Sequence, residues 1–149
     1  MTIIPLNLPN APLNLKRKDG VVYVRCLIRN KDLVCTPEEW VRQHAIHYLI
    51  FVEGKKKGLI ASEYELSYNG LKRRADIVVF DSNGNPELLI ECKATTVSLT
   101  TEVLNQAAQY NHQLGVERVI LTNGLDHIEC VVNQKKNTLE FTKVWGGNQ

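Results

Sequence analysis

Residues 74–94 read RADIVVFDSNGNPELLIECKA. Two apolar runs flank a Ser-Asn-Gly-Asn-Pro segment, the pattern of two strands joined in a hairpin. Each run carries charge where a buried strand should carry none: Asp76 in the first, Glu91 and Lys93 in the second. An ionised carboxylate in such a place is costly unless it is paired or bound to a metal. Side chains alternate along a strand. Leu88, Ile90, Cys92 and Ala94 therefore share an apolar face, and Leu89, Glu91 and Lys93 share the other. Pairing the runs symmetrically about Gly84 sets Asp76 opposite Cys92, next to Glu91 and Lys93, with a bulge able to shift this by one residue. Two readings fit the three charges. One is a salt bridge of Lys93 with Asp76 or Glu91. The other is a divalent-cation site, because Mg²⁺ takes one or two carboxylates plus waters and phosphate oxygens.

Working outward, the hairpin is preceded by TPEEWVRQHAIHYLIFVEG, residues 36–54, the clearest helix of the chain. Thr36 suits the N-cap, Pro37 the first helical position, and Glu38 and Glu39 the positive end of the dipole. Glu39, three residues after Thr36, completes a capping-box pattern. Val41, Ala45, Tyr48, Leu49 and Val52 make an apolar stripe at helical spacing. Gly54 can end the helix. LIASEYELSYNG reads as a strand entering an Asn69-Gly70 turn. After the hairpin, TTEVLNQAAQYNHQLG reads as a second helix stopped by Gly115. VERVILTNG, HIECVVNQ and TLEFTKVW read as strands, the last two separated by a KKN turn. A helix joining strand 88–94 to strand 117–122 makes those two parallel. The expectation is an α/β fold, a mixed sheet with helices on its faces. VVYVRCLIR is a further strand with a turn at NKD. Residues 1–20, rich in Pro, Asn and Leu, read as an extended arm lying on the domain.

The 149 residues fit a single domain, 1–149. With 44% hydrophobic and 23% charged residues the composition is that of an ordinary globular protein. No apolar run is long enough to span a bilayer, and the N-terminus has no signal-peptide pattern, so no membrane partner and a cytoplasmic location are expected. The four cysteines are scattered, without zinc-ligand spacing, and read as small buried hydrophobes. A net charge of +2 neither demands nor excludes nucleic acid. KRK, KKK and KRR clusters read, taken alone, as solvated surface. His44 and His47 are too weakly placed to be ligands, and Trp40, Tyr48 and Trp145 read as packing.

The succession of an Asp, a hairpin, Glu-x-Lys and a helix resembles the core of the PD-(D/E)XK nuclease superfamily. TPEEWVRQ (36–43), QAAQY followed by Asn111 (106–111) and LTNG (121–124) resemble, more narrowly, the N-terminal nuclease domain of type I restriction enzyme R subunits and its small stand-alone relatives. The resemblance covers about residues 30–125. Glu-x-Lys alone is a weak signature; four motifs in order are specific. It implies a restriction-endonuclease-like mixed sheet in the order α-β-β-β-α-β with added C-terminal strands and a core at 36–125. It implies phosphodiester hydrolysis in nucleic acid, DNA first, with Mg²⁺ or Mn²⁺ as cofactor. Asp76 and Glu91 would be metal ligands, with the Cys92 backbone carbonyl a third, and Lys93 the catalytic lysine. Glu38, with Glu39 as understudy, would add a helix carboxylate to the catalytic and metal set; the plainer reading of Glu38 is a first-turn charge favouring the helix dipole. Gln106 and Tyr110 match the Gln-x-x-x-Tyr feature and share a helix face, or are simply a surface Gln and a packed Tyr. Arg42, Arg73 and Arg74 are candidate phosphate contacts; Arg42 also lies at i, i+4 from Glu38.

The sequence departs from the pattern at Ala75, where a Pro often precedes the Asp. It has no G-x-x-x-x-G-K-[ST] signature and no room for a motor, so translocation along DNA is not expected of it. A homodimer or separate motor or modification subunits would be its partners. The alternative to a nuclease is a non-catalytic nucleic-acid- or partner-binding module on the same fold.

Overall fold

Thr36 starts the helix that packs on one face of the main sheet. The computed structural model describes residues 4–133 and 138–144, with backbone alone at 68, 109–113, 133 and 138–144. Helix α1 (Pro37–Phe51) opens with the Thr36 side chain accepting from the Glu39 amide at 3.0 Å. The box closes on one side only. The Thr36 amide donates to the Val34 carbonyl, while the Glu39 carboxylate accepts from Arg42 and Gln43. Val41, Ala45, Ile46 and Leu49 are fully buried. Val52 caps the helix C-terminus and is exposed, so it leaves the expected stripe.

Before α1, β1 (Leu15–Lys18), β2 (Val21–Cys26) and β3 (Lys31–Val34) form an antiparallel three-stranded sheet. The expected arm is therefore shorter than residues 1–20. Asp19 and Gly20 both adopt positive φ, the Asp-Gly geometry of a tight hairpin turn, and turn the chain from β1 into β2. The strand expected at VVYVRCLIR ends at Cys26, and the turn falls at residues 27–30 rather than at NKD.

After α1, β4 (Ile60–Tyr68), β5 (Leu71–Phe80), β6 (Pro86–Cys92), α2 (Thr101–Leu114), β7 (Arg118–Thr122), β8 (His127–Asn133) and β9 (Thr138–Val144) follow. The strands make one six-stranded sheet in the order β4-β5-β6-β7-β8-β9. Only β6 and β7 pair in parallel, bridged by α2 as the sequence predicts; the other neighbours are antiparallel. Asn69 and Gly70 take the positive φ of their predicted turn. The expected KKN turn and Trp145 lie outside the described residues.

The sheet buries both faces. Ile77, Val79, Leu88, Ile90 and Ile120 pack with α1, together with Cys26 from the N-terminal sheet. Val78, Leu89, Val119 and Leu121 pack with Ala107 and the partly buried Val103 and Leu104 of α2. Each fully buried Ile or Leu contributes about 1.5–3 kcal/mol. All four cysteines are free and buried, and burial pushes the Cys35 thiol up to about 11.

The β5–β6 register differs from symmetric pairing. Ile77 pairs with Ile90, Val78 with Leu89 and Val79 with Leu88, with an irregularity between Val79 and Phe80. The next rung sets Asp76 level with Glu91, not with Cys92. Because the strand period is two, that single step decides which face a side chain meets.

Candidate active site

The regular β5–β6 ladder ends at Ile77–Ile90. Beyond it Asp76 takes the ladder's place: its Oδ2 accepts the Cys92 amide at 2.7 Å. On the far side of β6 the Lys93 amide donates to the Thr122 carbonyl of the LTNG segment at 2.8 Å. The three motif residues thus meet where the strands part. Asp76 and Glu91 are buried, and Lys93, just past the end of β6, is partly buried.

Arg42 stands at the middle of the charges. One amino group donates to Asp76 Oδ1 at 2.7 Å and to Glu38 at 3.2 Å; the other donates to Glu39 at 2.5 Å. Its side chain is 6% exposed. Burial alone would make this guanidinium easier to deprotonate, but the charges of Asp76 and Glu39 outweigh it and hold the cation. Bonds from a charged donor to charged acceptors are the strong ones. The Glu38–Arg42 pairing at i, i+4 is present as read from the sequence. The guanidinium itself is turned inward. Lys93 forms no ion pair among the described residues, so the counter-charge to Asp76 comes from Arg42.

Glu91 is held differently. Its Oε1 is buried and has no hydrogen-bond partner. Burial, and then the negative charge of Asp76, push its carboxyl well above the ordinary range, while Lys93 pulls the other way. Glu38 is raised as well, first by burial and then by Asp76, against the pull of Arg42 and Lys93. The Lys93 charge therefore acts on both carboxylates.

Among the described residues, no three His, Cys, Asp or Glu side chains gather closely enough to hold a metal by themselves. The donors nevertheless suit a hard cation. Glu91 Oε1 is an orphaned buried oxygen, each Asp76 oxygen has one bond and a further lone pair, and Mg²⁺ needs only one or two carboxylates with the rest from water, carbonyl or phosphate.

The remaining candidates sit apart from this centre or on its rim. Arg73 and Arg74 are exposed on β5, three and two residues before Asp76. Gln106 is exposed on α2; Tyr110 lies one turn further on, its side chain outside what is described. His44 and His47 are buried in α1, with burial holding both below the ordinary histidine range. Trp40 Nε1 donates to the Ile4 carbonyl at 2.9 Å, which ties the arm to α1. Sequence reasoning missed Glu63 and Arg29. Glu63 accepts from Arg29 at 2.5 Å and lies 3.7 Å from Arg42. Nothing in the alternating pattern of β4 marks it.

A mixed sheet with the order α-β-β-β-α-β, and an Asp and a Glu-x-Lys meeting where two of its strands part, defines a restriction-endonuclease-like α/β fold. Comparison with protein families then narrows the class. The sequence matches the family described as type I restriction enzyme R protein N terminus over residues 37–144, and the chain belongs to that family. Among curated proteins none matches. No helix among the described residues is long and apolar enough to cross a membrane.

Proposed function

We propose that this chain is a divalent-metal-dependent nuclease domain that hydrolyses phosphodiester bonds in nucleic acid, DNA first. The observation that carries the reading is the buried, unpartnered Glu91 Oε1 beside Asp76, at the strand end where Lys93 emerges. Asp76, Glu91 and the Cys92 carbonyl would hold Mg²⁺ or Mn²⁺, with Glu38 completing the set from α1. Such an ion supplies Lewis-acid polarisation of the phosphoryl group and a bound water of lowered pKa. The chain's own residues do the rest. Lys93, whose charge already acts on Glu91 and Glu38, orients the attacking water or meets the charge developing on the phosphate. Arg42 fixes Asp76, so that the carboxylate does not have to be ordered during the reaction. Arg73 and Arg74, exposed on β5, would hold the backbone of the nucleic acid without reading its sequence. The chain acts in cytoplasm in this reading, as a homodimer or beside separate motor or modification subunits.

One observation favours a second reading, a non-catalytic module that binds nucleic acid or a partner. Both Asp76 oxygens already have partners, one of them a buried arginine. The two readings part in one assay. Supercoiled plasmid and single-stranded circular DNA are incubated with the protein in Mg²⁺ or Mn²⁺, with EDTA controls, beside Asp76→Asn. Metal-dependent nicking by the wild type alone is expected. DNA binding that survives in Asp76→Asn, with turnover in neither protein, would replace the nuclease by the binding module.

A further inference from the structure

Glu63 is the one residue in the interior of a described strand with a positive φ that is not glycine, at 52°. The β4–β5 ladder pairs Ser62 with Ile77 and Tyr64 with Ala75 but skips the rung between them, where Glu63 faces Asp76. Side-chain alternation fails on both strands at that rung. Ala75 packs with the α2-side core and Ile77 with the α1-side core, although they are two residues apart. A regular strand would send Glu63 to the face opposite Ser62. The left-handed turn instead brings its carboxylate to Arg29 at 2.5 Å and to within 3.7 Å of Arg42. A residue kept in a sparsely populated conformation persists only where its surroundings enforce it, and such residues gather at functional sites.

Arg29 comes from the turn between β2 and β3, outside the matched family region 37–144. Arg29, Glu63, Arg42 and Glu38 line one open cleft of about 570 Å³, together with Ala94, the residue after Lys93. From this geometry we infer that Glu63 and Arg29 are positioning residues. The N-terminal sheet, through the sequence Arg29, Glu63, Arg42, Asp76, sets where the Asp76 carboxylate stands. The order of the charges carries it: Glu63 joins Arg29 to Arg42, and Arg29 is the one cation that hydrogen-bonds Glu63 among the described residues. Without Glu63, Arg42 keeps Glu38, Glu39 and Asp76 but loses the one carboxylate that Arg29 anchors, and the Asp76 bond to Cys92 loosens.

The inference rests on the reading of Asp76 as a site residue, yet its test needs no metal. Hydrogen exchange of the Cys92 amide, whose acceptor is Asp76 Oδ2, reports the position of that carboxylate directly. It is measured by NMR in the wild type, Arg29→Ala, Arg29→Lys and Glu63→Asn. Asn is tolerated at positive φ, so Glu63→Asn removes the charge without disturbing the strand. We expect the Cys92 amide to lose roughly tenfold of its protection in Arg29→Ala and Glu63→Asn, and to keep it in Arg29→Lys. Amides of the regular β5–β6 ladder should hold in all variants. Unchanged Cys92 protection in Arg29→Ala and Glu63→Asn overturns the inference, and so does an equal loss along the whole ladder, which would make the pair a general strut. Titration of the wild type with Mn²⁺ in the same samples keeps the two claims apart: no Mn²⁺ binding retires the metal site and leaves the positioning result standing.

Discussion

At the residue scale the site rests on how one arginine is shared. Arg42 is buried and bonded to Glu38, Glu39 and Asp76. Removing one member of such a cluster leaves uncompensated buried charge. Arg42→Ala is therefore expected to destabilise the fold by about 3–5 kcal/mol, read from urea unfolding. Lys93 is partly buried and in no ion pair among the described residues, so Lys93→Ala should shift the same unfolding curve by less than about 1 kcal/mol. The contrast separates the residue that holds the site from the one that would act in it. Asp76, Glu91 and Lys93 were legible in the sequence because charges stand out in apolar runs. The place of Arg42 was not. Its spacing from Glu38 gave one partner, but a helix surface and a carboxylate cluster look alike until the helix is packed. Glu63 gave no signal, since a positive φ in mid-strand leaves no mark on residue type.

At the element scale, caps and turns were readable and register was not. Thr36, Pro37 and Gly54 bounded α1 because capping chemistry is local; Thr36→Ala should cost about 1 kcal/mol, seen as a lowered unfolding midpoint. The capping box was only half right. The Glu39 carboxylate has a stronger, non-local partner in Arg42 than the Thr36 amide offers. The Asp19-Gly20 turn and the short strand β1 were missed, because residues 1–20 read as an extended arm and the KRK cluster as solvated surface. The β5–β6 register was missed by one residue because an irregularity at Val79–Phe80 cannot be counted from a turn. The arm offers a test of its own. Asn7 donates its amide to the Gly124 carbonyl at 2.8 Å, and Gly124 has φ +88°. A Cβ there would stand 2.7 Å from Leu6 Cδ2. Gly124→Ala should lower the melting temperature and expose residues 4–14 to limited proteolysis earlier than in the wild type.

At the scale of the whole molecule, the fold class, the succession of elements from α1 onward and the parallel pairing across α2 followed from the succession of patterns, since each element was locally consistent with the global arrangement. That the N-terminal sheet reaches the site did not follow, because sequence separation conceals the Arg29–Glu63 contact. The long-range ties also set a pH response. His127 Nε2 stands 2.7 Å from the Asn7 carbonyl and Nδ1 2.7 Å from Thr122 Oγ1. Burial lowers His127, as it lowers His44 and His47. A base lowered in the folded state takes up protons more readily when unfolded. Its contribution is therefore present above the unfolded value of about 6.5 and is lost as pH falls through the lowered folded value. The raised Glu91 and Glu38 act in the opposite sense, favouring the folded state in acid. As pH falls through about 6.5, His127→Gln should flatten the acid loss of unfolding free energy, whereas Glu91→Gln should remove a stabilisation that the folded state gains in acid, both read from denaturant midpoints.

The central claim is that the charges where β5 and β6 part form a working metal site and are not a retained ion cluster. Lys93→Ala tests it most directly, because that residue is not needed to hold the fold. Supercoiled plasmid is incubated in Mn²⁺ with wild type and Lys93→Ala at equal concentration, and nicked circles are followed with time. Nicking by the wild type that Lys93→Ala loses, with its circular dichroism and unfolding midpoint unchanged, is the predicted result. Nicking by Lys93→Ala at the wild-type rate would contradict the account.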